Sequence, residues 1–206
     1  LDESPEAIKR LLRLVQLASN PALIDDNYTG PSAKELKLEE LLGEIAGRDE
    51  QAIVWSIFTD NVGALCSRYK SYGSVKITGK MSNEDRIRSV QKFKSGGAKF
   101  LFATPQSAKE GLTLTMANHA VFYDRGFNLD DYLQAQDRIH RISQKKECHI
   151  YNLMIADSID IWINQLLGAK QQAAYLAQGD IALDKYKAIA DYSFATLVRE
   201  ILNTPQ

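Results

Sequence analysis

Two arginines three residues apart, Arg138 and Arg141, stand in the string Gln134-Ala135-Gln136-Asp137-Arg138-Ile139-His140-Arg141-Ile142-Ser143-Gln144. On a helix, side chains three or four positions apart share a face. Gln134, Arg138 and Arg141 would then project together. Paired guanidiniums form a fork-shaped site for a multiply charged oxyanion such as a triphosphate. The same spacing also fits surface arginines paired with Asp131, Asp137 or Glu147. His140 falls on another helical face and reads as a structural hydrogen-bonding group.

These residues need a scaffold, and the pattern of the chain supplies one. Short apolar runs at 52–57, 75–77, 99–103, 119–123 and 149–153 read as strands buried on both faces. Between them, 60–72, a stretch opened by Ser82 and Asp85, and 129–142 read as helices, the second with Ile87, Val90 and Phe93 inward. Strands alternating with helices imply a parallel sheet of the α/β class, covered by helices on both faces. Ahead of the sheet, a helix starting at Ser4-Pro5-Glu6 carries Ile8, Leu11, Leu12 and Val15 at helical spacing and ends at Asn20-Pro21. Ser32 with Glu35 forms a capping box for a second helix, whose apolar face is Leu38, Leu41, Leu42 and Ile45. Residues 158–203 read as helical, with breaks near Gly168 and Gly179. The expected organisation is a helical lead-in (1–50), a sheet domain (51–157) and a helical extension (158–206).

In open parallel sheets, ligands bind beyond the carboxyl ends of the strands. The polar segments 56–59, 78–80, 104–113 and 124–128 all fall there. Loops are polar in any case, so this convergence needs the motifs to give it meaning.

Composition narrows the classes. The 206 residues are 45% hydrophobic and 25% charged with a net charge of −1, typical of a folded domain. A wholly basic nucleic-acid binder is excluded, whereas a local basic groove is not. No apolar run is long enough for a membrane span. Cys66 and Cys148 are too few for a disulfide framework and read as reduced thiols of an intracellular protein. The three histidines show no metal-ligand spacing with them, and no metal site is expected. Trp55 and Trp162 read as core, and Lys92, Lys94 and Lys99 as a solvated surface.

The motifs resemble those of the Swi/Snf-type DNA translocases, a branch of the superfamily-two helicases. Their last motif runs Gln-Ala-x-x-Arg-x-His-Arg-x-Gly-Gln. Residues 134–144 match each fixed position except Ser143, where glycine is usual. Residues 104–114 resemble the preceding motif, with Ala108 and Lys109 in place of two glycines. Phe122-Tyr123-Asp124 and Phe127-Asn128 resemble the segment between the two, Phe127 replacing tryptophan and Leu129 replacing proline. The resemblance extends over roughly 10–165 and implies a RecA-like second helicase lobe.

It also implies roles. Arg141 and Arg138 match the phosphate-facing arginines, Arg141 being the finger that reaches the γ-phosphate of ATP held on the other lobe. Gln134, Glu110 and Gly111 match residues bordering the nucleotide. Ser56, Thr78, Lys80, Thr104 and Ser107 match positions touching the DNA backbone, and Lys109 is a further candidate contact. Small hydroxyls, backbone N–H groups and a lysine position a strand without reading its sequence.

No Gly-x-x-x-x-Gly-Lys-Ser/Thr phosphate loop and no Asp-Glu strand end for magnesium occur in the chain. The expectation is therefore a half-motor. A first RecA-like lobe would precede Leu1 and hold ATP and Mg²⁺, and the fragment alone would not hydrolyse ATP. The partners would be that lobe and duplex DNA, and the location cytoplasmic in a prokaryote or virus and nuclear in a eukaryote. Two other readings are a superfamily-two motor acting on RNA, which His140 argues against, and a degenerate module that only binds partners, which the intact arginine pair argues against.

Overall fold

The computed structural model describes residues 4–108, 113–142 and 144–178. Five parallel strands, β1 (Ala52–Trp55), β2 (Val75–Ile77), β3 (Phe100–Ala103), β4 (His119–Phe122) and β5 (His149–Asn152), form one sheet in the order β2-β3-β1-β4-β5. β1 pairs with β3 from Ala52/Phe100 to Trp55/Ala103 and with β4 from Ala52/His119 to Trp55/Phe122. The chain leaves β1 toward one edge and β4 toward the other, so their carboxyl ends flank a crevice.

The period-two alternation of strands divides the core between the two faces. Val54, Phe100, Phe102, Val121 and Tyr123 meet Leu38, Leu42 and Ile45 of α2 (Ala33–Gly47) and Val62 and Leu65 of α3 (Thr59–Arg68). On the other face Ile53, Trp55, Ile77, Leu101 and Phe122 meet Val90 and Phe93 of α4 (Asn83–Lys94) and Ala135 of α5 (Leu129–Gln136). Trp55 is fully buried, as expected of core. A third cluster joins Leu11 and Val15 of α1 (Ser4–Ser19) to Ile159, Ile163 and Leu167 of α6 (Ile159–Gln178).

The capping box forms: Ser32 Oγ accepts from Glu35 N at 3.2 Å, and Glu35 accepts from Ser32 N at 2.6 Å. Gly73 follows α3 in the left-handed region (φ 70°), and a Cβ there would lie 2.6 Å from the carbonyl oxygen of Gly97. Both the conformation and the close approach require glycine.

Four sequence expectations change. α5 stops at Gln136 rather than continuing to 142, because Arg138 N and Ile139 N bond to Ala135 O and Gln136 O in tighter i→i−3 turns that swing Ile139 into the core. Ile87 is 56% exposed, because α4 meets the sheet through Val90 and Phe93. On α1 the buried stripe is Ala7, Leu11 and Val15, facing α6, and Ile8 and Leu12 are exposed. α6 runs unbroken through Gly168. Gly179 and the rest of the expected helical extension lie outside the described residues.

Candidate functional site at the carboxyl edge of the sheet

A cleft of about 240 Å³ opens at the carboxyl ends of β1, β2 and β3. Ile57 and Thr59 form one wall, Gly79 and Lys80 another, and the turn Thr104 to Ser107 its floor, with Asp131 of α5 at the rim. Three of the expected DNA-contact residues, Lys80, Thr104 and Ser107, meet here. Lys80 is exposed and lines the cleft. The floor is fixed from below. Thr104 N donates to Ile77 O, Ser107 N donates to Thr104 O, and Arg86 of α4 donates to the Ser107 carbonyl.

Two of the expected contact residues turn their hydroxyls inward. Ser56 is fully buried, and its hydroxyl donates to Asp124 at 2.7 Å. The Ser107 hydroxyl points inward, 3.0 Å from Ile77 O and 2.8 Å from Thr104 O. Thr78 is also nearly buried, under the Gly79 turn. Lys109, Glu110 and Gly111 lie outside the described residues.

Asp124 was not singled out by its chemistry from sequence, yet it organises the crevice. It is 1% exposed. Its Oδ2 accepts from Ser19 Oγ (2.6 Å), Ser56 Oγ (2.7 Å) and Asn61 Nδ2 (3.3 Å), and its Oδ1 from Ile57 N (2.6 Å). Burial raises its pKa above the ordinary carboxylate value, while these hydrogen bonds and the Lys34 charge pull it back. Four donors facing one carboxyl favour the ionised form. The available signal was its place between Tyr123 and the loop to Asn128, at the end of a buried strand.

The arginines sit on the turn after α5. Asn128 caps that helix, accepting from Asp130 N and Asp131 N. Gln134 is exposed on its outer side. Arg138 is 7% exposed, and its carbonyl accepts from Leu114 N. Arg141 is exposed; its Nη1 donates to Thr113 Oγ1 at 2.8 Å and its Nε to Asp137 O at 3.2 Å. Burial, and secondarily the charge of Arg141, hold Arg138 below the ordinary arginine pKa. Gln144 clasps this turn to the preceding motif. Its amide nitrogen lies 2.9–3.2 Å from the carbonyls of Thr115, Ala117 and Ile139. The structure thus brings Arg141 to Thr113, with Arg138 on the same turn. His140, expected to make a structural hydrogen bond, is exposed.

Phe127 is half-buried and lines a second cavity of about 420 Å³ with Phe58, Arg125 and Tyr132, between the cleft and α1. A larger, mostly apolar cavity of about 580 Å³ between α1, α2 and α6 contains none of the expected site residues.

Together, the strand order, the carboxyl-edge cleft and the arginine turn define a RecA-like α/β lobe. The helicase conserved C-terminal domain matches residues 33–143, and the chain belongs to that family. It is 30% identical over 152 residues to the lymphoid-specific helicase of Homo sapiens, which covers 72% of this chain and 18% of that protein. To the ISWI chromatin-remodeling complex ATPase CHR17 of Arabidopsis thaliana it is 28% identical, over 80% of this chain and 16% of that one. The chain thus spans under a fifth of these relatives. Among solved structures, the C-terminal part of the Fun30 ATPase domain superposes with a TM-score of 0.62 at 25% identity, covering 92% of this chain and 60% of that one. The Sulfolobus solfataricus SWI2/SNF2 ATPase core in complex with dsDNA superposes at 0.68 and 23% identity, covering 90% and 42%, and supports the fold. No helix among the described residues is long and apolar enough to cross a membrane.

Proposed function

We propose that this chain is the second motor lobe of an ATP-dependent double-stranded DNA translocase. The arginine turn is the observation that carries the reading. Arg138 and Arg141 stand three residues apart on one turn, and among the described residues the bonds of Arg141, to Thr113 and Asp137, go to neutral oxygens, which leaves its charge for an external anion. That geometry fits the terminal phosphates of ATP. Bound across two lobes, ATP supplies a phosphoanhydride whose cleavage develops negative charge. Arg141 would stabilise that charge as an arginine finger, Arg138 would hold the phosphates from a buried base, and Gln134 would border the nucleotide with Glu110 and Gly111. The phosphate loop and the Mg²⁺ ligands belong to a first RecA-like lobe of the same polypeptide.

DNA would run along the carboxyl-edge cleft, met by Lys80, Thr104 and Lys109, with Ser56, Thr78 and Ser107 holding the turns beneath it. The duplex bound by the similar Sulfolobus solfataricus core supports double-stranded DNA as substrate. In this reading residues 51–157 carry the working loops, 1–50 lead into them, and 158–206 extend the lobe. The test is steady-state phosphate release by the purified chain with and without duplex DNA. No turnover is expected in either case, and turnover that persists to homogeneity would overturn the half-motor reading.

A further inference from the structure

We infer that Asp124 is a positioning residue that ties the lead-in helix α1 to the loop forming one wall of the cleft. The inference rests on the DNA reading of that cleft for its functional meaning. Its geometry does not.

The carboxylate joins three separate parts of the chain. Ser19, the last residue of α1, donates to Oδ2. Ser56, at the end of β1, donates to the same oxygen, and Ile57 N donates to Oδ1. Asn61 of α3 donates to both Oδ2 and Ser19 Oγ, and receives Asn20 Nδ2 at 3.2 Å. The Ser56 hydroxyl in turn accepts from Phe58 N at 3.2 Å. The amides of Ile57 and Phe58 are therefore held by the same hub that holds the end of α1. Ile57 lines both the cleft and the neighbouring cavity, and Thr59 lines the cleft. Asp124 also opens the loop to Asn128, the cap of the helix that leads to the arginines.

All these groups are donors, and bonds from neutral donors to a buried carboxylate are among the stronger and more directional ones. A shift at the end of α1 must either break the Ser19 bond or move the carboxylate and, with it, the 57–58 backbone. α1 lies on the side of the chain toward the proposed first lobe. The hub is thus a mechanical link between the lead-in and the DNA-facing wall.

Amide hydrogen exchange on the purified chain tests it. Ser19→Ala removes one donor and leaves the apolar packing of α1 in place. Val15→Ala loosens that packing and leaves the hub intact. We expect Ser19→Ala to speed exchange at Ile57 and Phe58 about tenfold, the scale of one lost hydrogen bond to a charged group. Val15→Ala should speed exchange within α1 and leave 57 and 58 near the wild-type rate. Asp124→Asn should reproduce the Ser19→Ala effect at both amides. Exchange raised only at 16–20 in Ser19→Ala, or raised equally at 57 and 58 by Val15→Ala, would overturn the link. Added duplex DNA reports on the other reading separately: failure to protect 57–59, 78–80 and 104–107 in the wild-type chain would sink the DNA assignment and leave the exchange result to judge the hub.

Discussion

The two ends of the sheet make instructive opposites. At the amino end, His119 is fully buried and bonds Glu50 at 2.7 Å. Asn118 donates to the same carboxyl, Tyr151 approaches His119 Nδ1 at 3.4 Å, and His149 stacks on the ring at 5.0 Å. The bonds fit a neutral ring that donates from Nε2 and accepts at Nδ1. Every group there faces another group of the same lobe. At the carboxyl end a carboxylate network is just as dense around Asp124, but it holds the Ile57 and Phe58 backbone at the wall of a cleft that exposed Lys80 also lines. Titratable clusters alone do not mark a site. A cluster that holds exposed, oriented charges at the edge of a cleft does.

Unfolding experiments would sharpen this contrast most. Asp124→Ala leaves the donors of Ser19, Ser56, Asn61 and Ile57 buried without their acceptor, and should cost about 3–5 kcal/mol in urea titrations at unchanged slope. Glu50→Ala strands fewer groups nearer to water and should cost about 1–2 kcal/mol. Equal losses would mean that the carboxyl-edge hub is no more central than its counterpart.

The hub was half legible in the sequence. Tyr123-Asp124 was visible as part of a family-like segment, and the strands on either side followed from their apolar runs. Its partners were not, because Ser19 and Asn61 lie 105 and 63 residues away, and only the strand order brings them together. The position of Ser56 at a strand end is readable in the sequence, whereas its inward-pointing hydroxyl is not. Residue type and spacing mark the arginine pair, whereas the helical pattern runs on past the end of α5 at Gln136. Ile139 fits the helical pattern equally well, and the pull of the core that ends α5 is a tertiary effect. Ile87 and Leu12 failed alike, since several apolar stripes on one helix satisfy the periodicity and packing selects one.

A smaller effect is expected at the cleft. Lys80→Ala should weaken binding of two unrelated duplexes alike, and reduce the salt slope by about 1, as for the loss of one phosphate contact. Loss confined to one sequence would break the assignment of this edge to backbone contact.

The smallest effect concerns the amino edge. Burial holds His119 below its ordinary 6.5, and the bond from His119 holds Glu50 below its ordinary 4.5. Both groups therefore carry fewer protons folded than unfolded, so stability rises with pH through these windows. It should be full near neutrality, begin to fall below about 6.5 as the unfolded histidine takes up its proton, and fall further once Glu50 protonates. Melting temperatures across this range should drop by a few degrees, and less in His119→Gln. An unchanged slope in that variant would place the acid sensitivity elsewhere.

The most direct test of the working edge is ATP turnover by the full-length parent carrying Arg141→Ala. An arginine finger predicts a fall of roughly 10³–10⁵-fold with fold and duplex affinity nearly intact, and no rescue by Arg141→Lys, whose point charge lacks the guanidinium fork. Turnover near the wild-type rate in the alanine variant would contradict the account, because a surface arginine that merely bonds Thr113 and the Asp137 carbonyl predicts that result.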